Sequence, residues 1–253
     1  MKHTGLITIF AFTALALMAA GCGKEMVSIG KGDPKGEIKE CLDLSARNKH
    51  EEAIQCFEMF KARYPQTAEG QEAELLIGDS YFARKEYLVA AEAYGAFLRL
   101  YPNHPKADYA HYKIGVCYFK ESPKAIDRDQ EYLGTAIDHL RSVLRRYPNS
   151  EYREPAARTL QAALTRIAKR QYYIGRFYFR TGEYLAAIPR FEEVAENYAQ
   201  SGLGDKSLYQ VVRANLALKH MDAAREAYSQ LASRYPKSPY AKKAEHKMLS
   251  AAK

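Results

Sequence analysis

A pattern of apolar residues recurs five times along this 253-residue chain and leaves few folds open to it. Four copies end in Tyr-Pro, and a fifth, degenerate copy ends in Tyr198-Ala199. An alanine stands twelve residues before each marker, and larger apolar residues stand eight and five residues before it. Positions i, i+4 and i+7 share one face of a helix, which a following proline ends. The marker prolines are Pro65, Pro102, Pro148 and Pro236, and the alanines are Ala53, Ala90, Ala136, Ala187 and Ala224.

Each of these helices is expected to pair with the helix before it. Gly78, Gly115 and Gly175 occupy the position on the preceding helix where two backbones can approach closely. The alanine, large apolar and proline positions resemble the tetratricopeptide pattern, whose helix pairs are stable only when stacked on one another. The predicted fold is all-α: a right-handed superhelix (solenoid) of about five tetratricopeptide helix pairs plus a C-terminal helix. The pairs are predicted at about 36–64, 69–101, 106–147, 153–198 and 203–235, with a closing helix at 240–251.

Two of the four spacings between markers depart from the basic 37 residues. The third copy carries an insertion at about residues 121–130. The fourth copy carries fourteen extra residues before Gly175, with no helix breaker after Pro155, so they predict about four more turns on one long helix. Pro189 falls inside the second helix of the fourth pair, where a kink or a displaced helix start is expected.

The first 22 residues are typical of an export signal. Residues 6–20 are mostly apolar, too few for a comfortable membrane span, and small residues lead up to Cys22. This ending resembles the lipobox of bacterial lipoproteins, in which the cysteine is acylated. The prediction is a signal peptide over 1–21 and a lipidated Cys22 opening a flexible, glycine-rich tether over 22–35. In lipoproteins an aspartate after the cysteine favours the inner membrane, so Gly23 favours the outer membrane.

Residue content argues against several classes of function. Lys and Arg number 38 against 30 Asp and Glu, a net charge of +8 with no dense basic stripe, so no nucleic-acid partner is expected. None of the seven His forms a His-Glu-x-x-His pattern, and no Cys-x-x-Cys occurs. No Gly-x-Ser-x-Gly or dinucleotide fingerprint is present either. The sequence therefore predicts a protein that is not an enzyme, with no catalytic residues, metal or cofactor.

Cys41 and Cys56 lie about equally far from the predicted turn near Asn48. On paired antiparallel helices this spacing permits a disulfide, and an exported chain meets an oxidising compartment. A pair of small core thiols is nevertheless the favoured interpretation, and Cys117 is interpreted as a buried thiol.

Tetratricopeptide arrays bind extended peptides on the concave surface formed by their first helices. The groove positions are those six and three residues before, and one and four after, the small residue of each first helix. They are Glu72, Leu75, Asp79 and Phe82 in repeat two, Tyr109, Tyr112, Val116 and Phe119 in repeat three, and Lys169, Tyr172, Arg176 and Phe179 in repeat four. Aromatic rings beside a few charges suit an apolar, extended peptide that carries a carboxylate. Packing against the next repeat is an equally open interpretation for any one of these rings.

Two motifs are more particular than the repeat. One runs from Tyr101-Pro102 through Asp108, Tyr109 and Tyr112 to Gly115, and the other is the insertion's Asp127-Arg128-Asp129-Gln130. With the lipobox and five repeats they resemble the BamD family, the lipoprotein subunit of the machinery that assembles outer-membrane β-barrels. The resemblance covers essentially the whole chain.

The resemblance implies a protein on the periplasmic side of the outer membrane with no enzymatic role. Repeats one to three (36–152) would be the substrate half, which receives unfolded barrel proteins, with Asp108, Tyr109 and Tyr112 in the family motif. Repeats four and five and the closing helix (153–253) would dock the periplasmic domains of the central barrel-forming subunit. Other assembly lipoproteins are further partners, and Arg128 with Asp129 would form a loop-fixing ion pair.

A second class of function stays open at this point. The same repeats could serve a periplasmic adaptor of the division or peptidoglycan machinery. That hypothesis predicts a coiled-coil trimerisation segment or a wall-binding partner, and it is disfavoured because the tether contains no heptads.

Overall fold

The computed structural model describes residues 33–251. The predicted signal peptide, Cys22 and most of the tether lie outside the described residues. Within 33–251 the chain forms eleven α-helices and one short 3₁₀ turn, without strands. No helix in this part is both long and apolar enough to cross a membrane. The helices are α1 (Pro34–Ala46), α2 (His50–Arg63), α3 (Ala68–Ala83), α4 (Tyr87–Leu100), α5 (Ala107–Glu121), α6 (Glu131–Arg146), α7 (Arg153–Thr181), α8 (Tyr184–Asn197), α9 (Gly204–Ala217), α10 (Met221–Arg234) and α11 (Pro239–Ala251).

Each helix packs against the next along the chain, and α11 closes the array against α9 and α10. The arrangement is a helical solenoid of five pairs with a closing helix, as the repeat pattern predicts. The second helix of every pair ends two residues before its marker, and this holds for the degenerate copy, where α8 ends at Asn197. A proline at the marker is therefore not required to end these helices.

The core follows the repeat positions closely. All five marker alanines are fully buried, as are the residues five positions before each marker. Four of the five residues eight positions before a marker are also fully buried, and Tyr228 is half-buried. A Cβ atom built on Gly78 would lie 2.7 Å from the ring of Tyr94, and one on Gly175 would lie 2.9 Å from that of Phe191. Each glycine thus makes room for the large residue of its own pair.

The predicted long helix is α7, with 29 residues. Its first half packs on α6 through Ala156 and Ala163, and its second half belongs to the core of the last two pairs through Ala168 and Tyr172. One continuous helix therefore carries both halves of the array. The neighbouring helix α8 contains Pro189 but begins at Tyr184, so the proline does not displace the start of that helix.

The short turns inside four of the five pairs share one backbone feature. A single residue adopts a left-handed conformation there, with φ of 59° at Asn48, 65° at Lys85, 85° at Gly182 and 62° at Lys219. Only one of the four is glycine. A lysine in this conformation is strained, so the packed helices on either side must hold the turn. The third pair, whose turn carries the insertion, lacks the feature.

The structure corrects the interpretation of Cys41 and Cys56 as free thiols. Their sulfur atoms are bonded, with 5.4 Å between the two Cα atoms, and the bridge joins α1 to α2. Within residues 33–251, α1 packs mainly on α2 and α3, and the bridge adds a covalent link between the two helices of this pair. Cys117 is a buried free thiol, and burial raises its pKa to about 12.

Candidate peptide-recognition surface

The first candidate site is a cleft of about 580 Å³ between α3, α5 and the loop that joins α6 to α7. We call it the polar cleft. Four predicted groove positions line it: Glu72, Leu75, Asp79 and Tyr109. Asp108 of the family motif and Tyr152 of the loop line it as well. Glu72 forms an ion pair with Lys106 at 2.8 Å. The cleft therefore holds charges of both signs, partly neutralised by the chain itself.

Asp79 organises the wall of the polar cleft. One of its carboxylate oxygens accepts hydrogen bonds from the hydroxyls of Tyr94, at 2.6 Å, and Tyr109. The same oxygen lies 3.0 Å from the Nζ of Lys113. Burial and the nearby carboxylate raise the pKa of both tyrosines, so their hydroxyls stay protonated and donate. The carboxylate thus joins α3, α4 and α5 and is engaged within the chain.

Three tyrosines extend this wall. The ring of Tyr152 lies between those of Tyr109 and Tyr112, with centroid distances of 5.2 Å and 5.4 Å. Burial and Glu151 raise the pKa of Tyr152 to about 12, so it too presents a neutral hydroxyl. Tyr109 and Tyr112 were predicted as groove residues from the first-helix spacing. Tyr152 was not, because it lies in the loop before α7, outside that frame.

Two further predicted rings are contacted by cations of the chain. The Nζ of Lys113 stands 3.8 Å from the ring centroid of Phe82. The guanidinium of Arg166, on α7, lies 4.4 Å from the ring centroid of Phe119, and its Nη1 donates to the carbonyl oxygens of Phe119 and Ser122. Arg166 therefore caps the end of α5 and ties the third pair to the long helix. The geometry therefore supports a packing role for both Phe82 and Phe119.

The insertion loop is held by Gln130, which belongs to the loop motif but was given no role from the sequence. The side-chain amide of Gln130 is buried and donates to the carbonyl oxygens of Pro123, Ala125 and Arg128. Asp127, Arg128 and Asp129 are all exposed, and Asp129 lies 3.8 Å from Arg170 of α7. No ion pair between Arg128 and Asp129 is seen among the described residues, so Gln130 takes the loop-fixing role expected of that pair.

A second cleft lies between α7 and α9 and includes the four groove residues predicted in repeat four, Lys169, Tyr172, Arg176 and Phe179. It consists of two hollows of about 320 and 520 Å³ that share four lining residues: Tyr172, Arg176, Arg180 and Lys206. We call it the cationic cleft because five basic side chains line it and no carboxylate does: Lys169, Arg176, Arg180, Lys206 and Arg213. Eight of the twelve predicted groove positions thus line one of the two clefts, four in each half of the array, whereas Phe82, Tyr112, Val116 and Phe119 line neither.

A histidine pair lies on the face between α5 and α6. The Nδ1 atoms of His111 and His139 are 3.1 Å apart, so one ring donates to the other. Burial, His139 and Arg146 lower the pKa of His111 to about 4, against a weaker opposite effect of Asp108. Burial also lowers the pKa of His139, against Asp138. Within residues 33–251 no group of three or more potential ligands could hold a metal ion.

The lowered pKa values predict that acid destabilises this contact. Protonation favours the unfolded chain, so the stabilisation is complete above the ordinary histidine pKa of 6.5 and is lost as the pH falls towards 4. Both rings are partly exposed, so we expect a loss of only about 1 kcal/mol between pH 7 and pH 5. Urea unfolding followed by circular dichroism measures it. The His111→Gln/His139→Gln variant should lack most of this slope, and an unchanged slope would contradict the assignment.

The fold and the two clefts define a class: a tetratricopeptide-type helical solenoid with two clefts lined by aromatic rings and charged side chains. The profile of the YfiO family, described as outer membrane lipoprotein, matches residues 39–231, and the chain belongs to this family.

Curated relatives in several bacteria carry the name outer membrane protein assembly factor BamD. The chain is 30% identical to that of Caulobacter vibrioides over 194 residues, which cover 77% of this chain and 63% of the relative. It is 27% identical to that of Rickettsia prowazekii over 241 residues, 95% of each chain. It is 26% identical to that of Neisseria meningitidis serogroup B, over 80% of this chain and 79% of the relative.

Proposed function

We propose that this protein is a scaffold of outer-membrane protein assembly that takes part in the recognition, folding and insertion of β-barrel proteins. The observation that carries the proposal is the match to the outer membrane lipoprotein family across 39–231, together with relatives named for this task. Its partners are then the periplasmic domains of the central barrel-forming subunit, other assembly lipoproteins and unfolded barrel substrates. Acylation of Cys22 would hold it on the periplasmic face of the outer membrane.

The mechanism we propose is recognition without chemistry. The polar cleft lies in the half formed by repeats one to three, where Tyr109, Tyr112 and Tyr152 offer ring faces beside carboxylates. Rings of this kind supply contact area at little cost in side-chain entropy, and the hydroxyls can bond to the backbone of an extended strand. The half formed by residues 153–253 docks the central subunit. The continuous helix α7 keeps the two halves in a fixed relation, so that a held chain is presented to the insertase.

Affinity purification from native membranes tests this function. A tagged copy of the chain, solubilised in mild detergent, should recover a barrel-forming outer-membrane protein with periplasmic domains, and the Cys22→Ala variant should shift to the soluble fraction. The matched control is an unrelated tagged lipoprotein from the same membrane. Recovery of division or peptidoglycan proteins in place of a barrel-forming subunit would contradict the proposal.

A further inference from the structure

The two halves of the chain carry opposite net charge. Residues 36–152 contain 16 Lys and Arg against 19 Asp and Glu, whereas residues 153–253 contain 18 against 9. The overall excess of positive charge is therefore concentrated in the second half. Such asymmetry matters for binding only if the charges converge on one surface, and the cationic cleft is where they do.

The chain leaves these converging cations without counter-charges. In the polar cleft, Glu72 pairs with Lys106 and Asp79 with Lys113. Among residues 33–251, by contrast, no carboxylate lies within ion-pair distance of the five cations of the cationic cleft. Like charges facing one hollow repel one another, so an anion entering it is attracted by all of them at once.

Aromatic and aliphatic groups hold the cations in place and add apolar walls. The guanidinium of Arg213 lies 4.5 Å from the ring centroid of Phe179 and donates to Gln210. The Nζ of Lys206 lies 5.1 Å from the ring centroid of Tyr172. Ile126 of the insertion loop and Leu203 complete the smaller hollow. A site built this way matches a ligand that carries an apolar side chain next to its negative charge.

We propose that the cationic cleft binds an extended acidic segment of a partner protein, with a carboxylate among the five cations and a neighbouring aromatic or aliphatic side chain against Tyr172 and Phe179. Guanidinium groups match the planar, two-oxygen geometry of a carboxylate. Inorganic phosphate carries no apolar group that could contact the apolar walls. The carboxylate is either a chain end or an Asp or Glu side chain. The identification of the occupant as a protein chain rests on the proposed function. Binding of a carboxylate by the cleft does not depend on that function.

Fluorescence anisotropy with dye-labelled nine-residue Gly/Ser peptides tests the proposal on the purified full chain. One probe contains a Phe and ends in a free carboxylate, and a second is the same peptide as an amide. A third is an amide with Glu beside the Phe. We expect the two anionic probes to bind about tenfold more tightly than the neutral amide, and to weaken as salt is raised. Preference for the first or the third identifies the source of the carboxylate.

Two charge variants show where on the chain the peptide probes bind. Arg176→Gln/Lys206→Gln removes two exposed or half-exposed cations that line both hollows, together with the contact between Lys206 and the ring of Tyr172, and should weaken the anionic probes about tenfold. Lys242→Gln/Lys247→Gln on α11 makes the same charge change outside the cleft and should leave binding within about twofold. Circular dichroism melting confirms that both variants are folded.

Three results would overturn the proposal: equal binding of all probes, an unaffected Arg176→Gln/Lys206→Gln variant, or displacement of the probes by inorganic phosphate alone. Binding of phosphatidylglycerol vesicles without binding of the peptides would overturn the protein occupant in favour of a lipid surface. If the peptides fail while the barrel-forming subunit still co-purifies, the cleft assignment is wrong and the proposed function stands. If the peptides bind but no such subunit co-purifies, the cleft assignment stands and the proposed function is wrong.

Discussion

Phe191→Ala should destabilise the chain by about 4 kcal/mol, the largest effect we expect from a single side chain. The Phe191 ring is fully buried between three helices, against Gly175 of α7 and 5.4 Å from the ring centroid of Tyr172. Glycine at 175 cannot fill the space that the ring leaves, so the cavity persists or the pair collapses. The midpoint of urea unfolding, followed by circular dichroism, measures the loss.

Leu185→Ala is the matched control for this prediction. Leu185 lies on the same helix, α8, but is 68% exposed, so its truncation should cost less than about 0.5 kcal/mol. Equal effects of the two substitutions would show that α8 does not bury the face described here. A loss confined to the second half of the array, with the first half intact, would show that α7 does not couple the two halves into one cooperative unit.

Removal of the Cys41–Cys56 bridge is the second large effect, with an expected loss of about 3 kcal/mol for a loop of this length. The two cysteines are 15 residues apart and fully buried, and in the part of the chain that the structure describes α1 packs mainly on α2 and α3. The Cys41→Ala/Cys56→Ala variant should therefore loosen the first pair. Its urea midpoint against that of the oxidised protein gives the size of the loss.

Reductant supplies the control for the bridge. Dithiothreitol should lower the stability of the native chain towards that of the double variant and leave the double variant unchanged. A native chain whose midpoint does not respond to reductant, with the bridge shown to be open by thiol titration, would contradict the stabilising role. Cys117 is shared by both proteins and remains buried, so it does not bias the comparison.

The repeat positions made most of the core predictable. Apolar spacing of four and seven residues, the marker prolines and the small residues opposite a large one are local signals, and they gave the helix pairs, the long helix and the closing helix. Each signal reflects a requirement of close packing between two neighbouring helices. The turns were less predictable, because Lys85 and Lys219 adopt a left-handed conformation that sequence would assign to glycine or asparagine.

The candidate site was predictable only in part, for physical reasons that particular residues show. Spacing along the first helices placed Asp79 and Tyr109 on the concave side. It could not reveal that Asp79 is engaged by Tyr94 and Lys113, since those groups come from two other helices. Tyr152 was missed because a loop brings it into the stack. The excess of cations in the second half can be counted in the sequence, but only the packing of α7 on α9 brings five of them to one cleft.

Site-specific photo-crosslinking in cells that depend on this chain tests the central claim most directly. A photoreactive amino acid is placed at Tyr112 in the first half, at Arg176 in the second half, or at the exposed Leu185 as a control. The account predicts that Tyr112 captures unfolded barrel proteins and Arg176 captures a partner of the assembly machinery, while Leu185 captures neither. Capture of the same proteins from all three positions, or from none, would contradict a scaffold that holds other chains on its concave side.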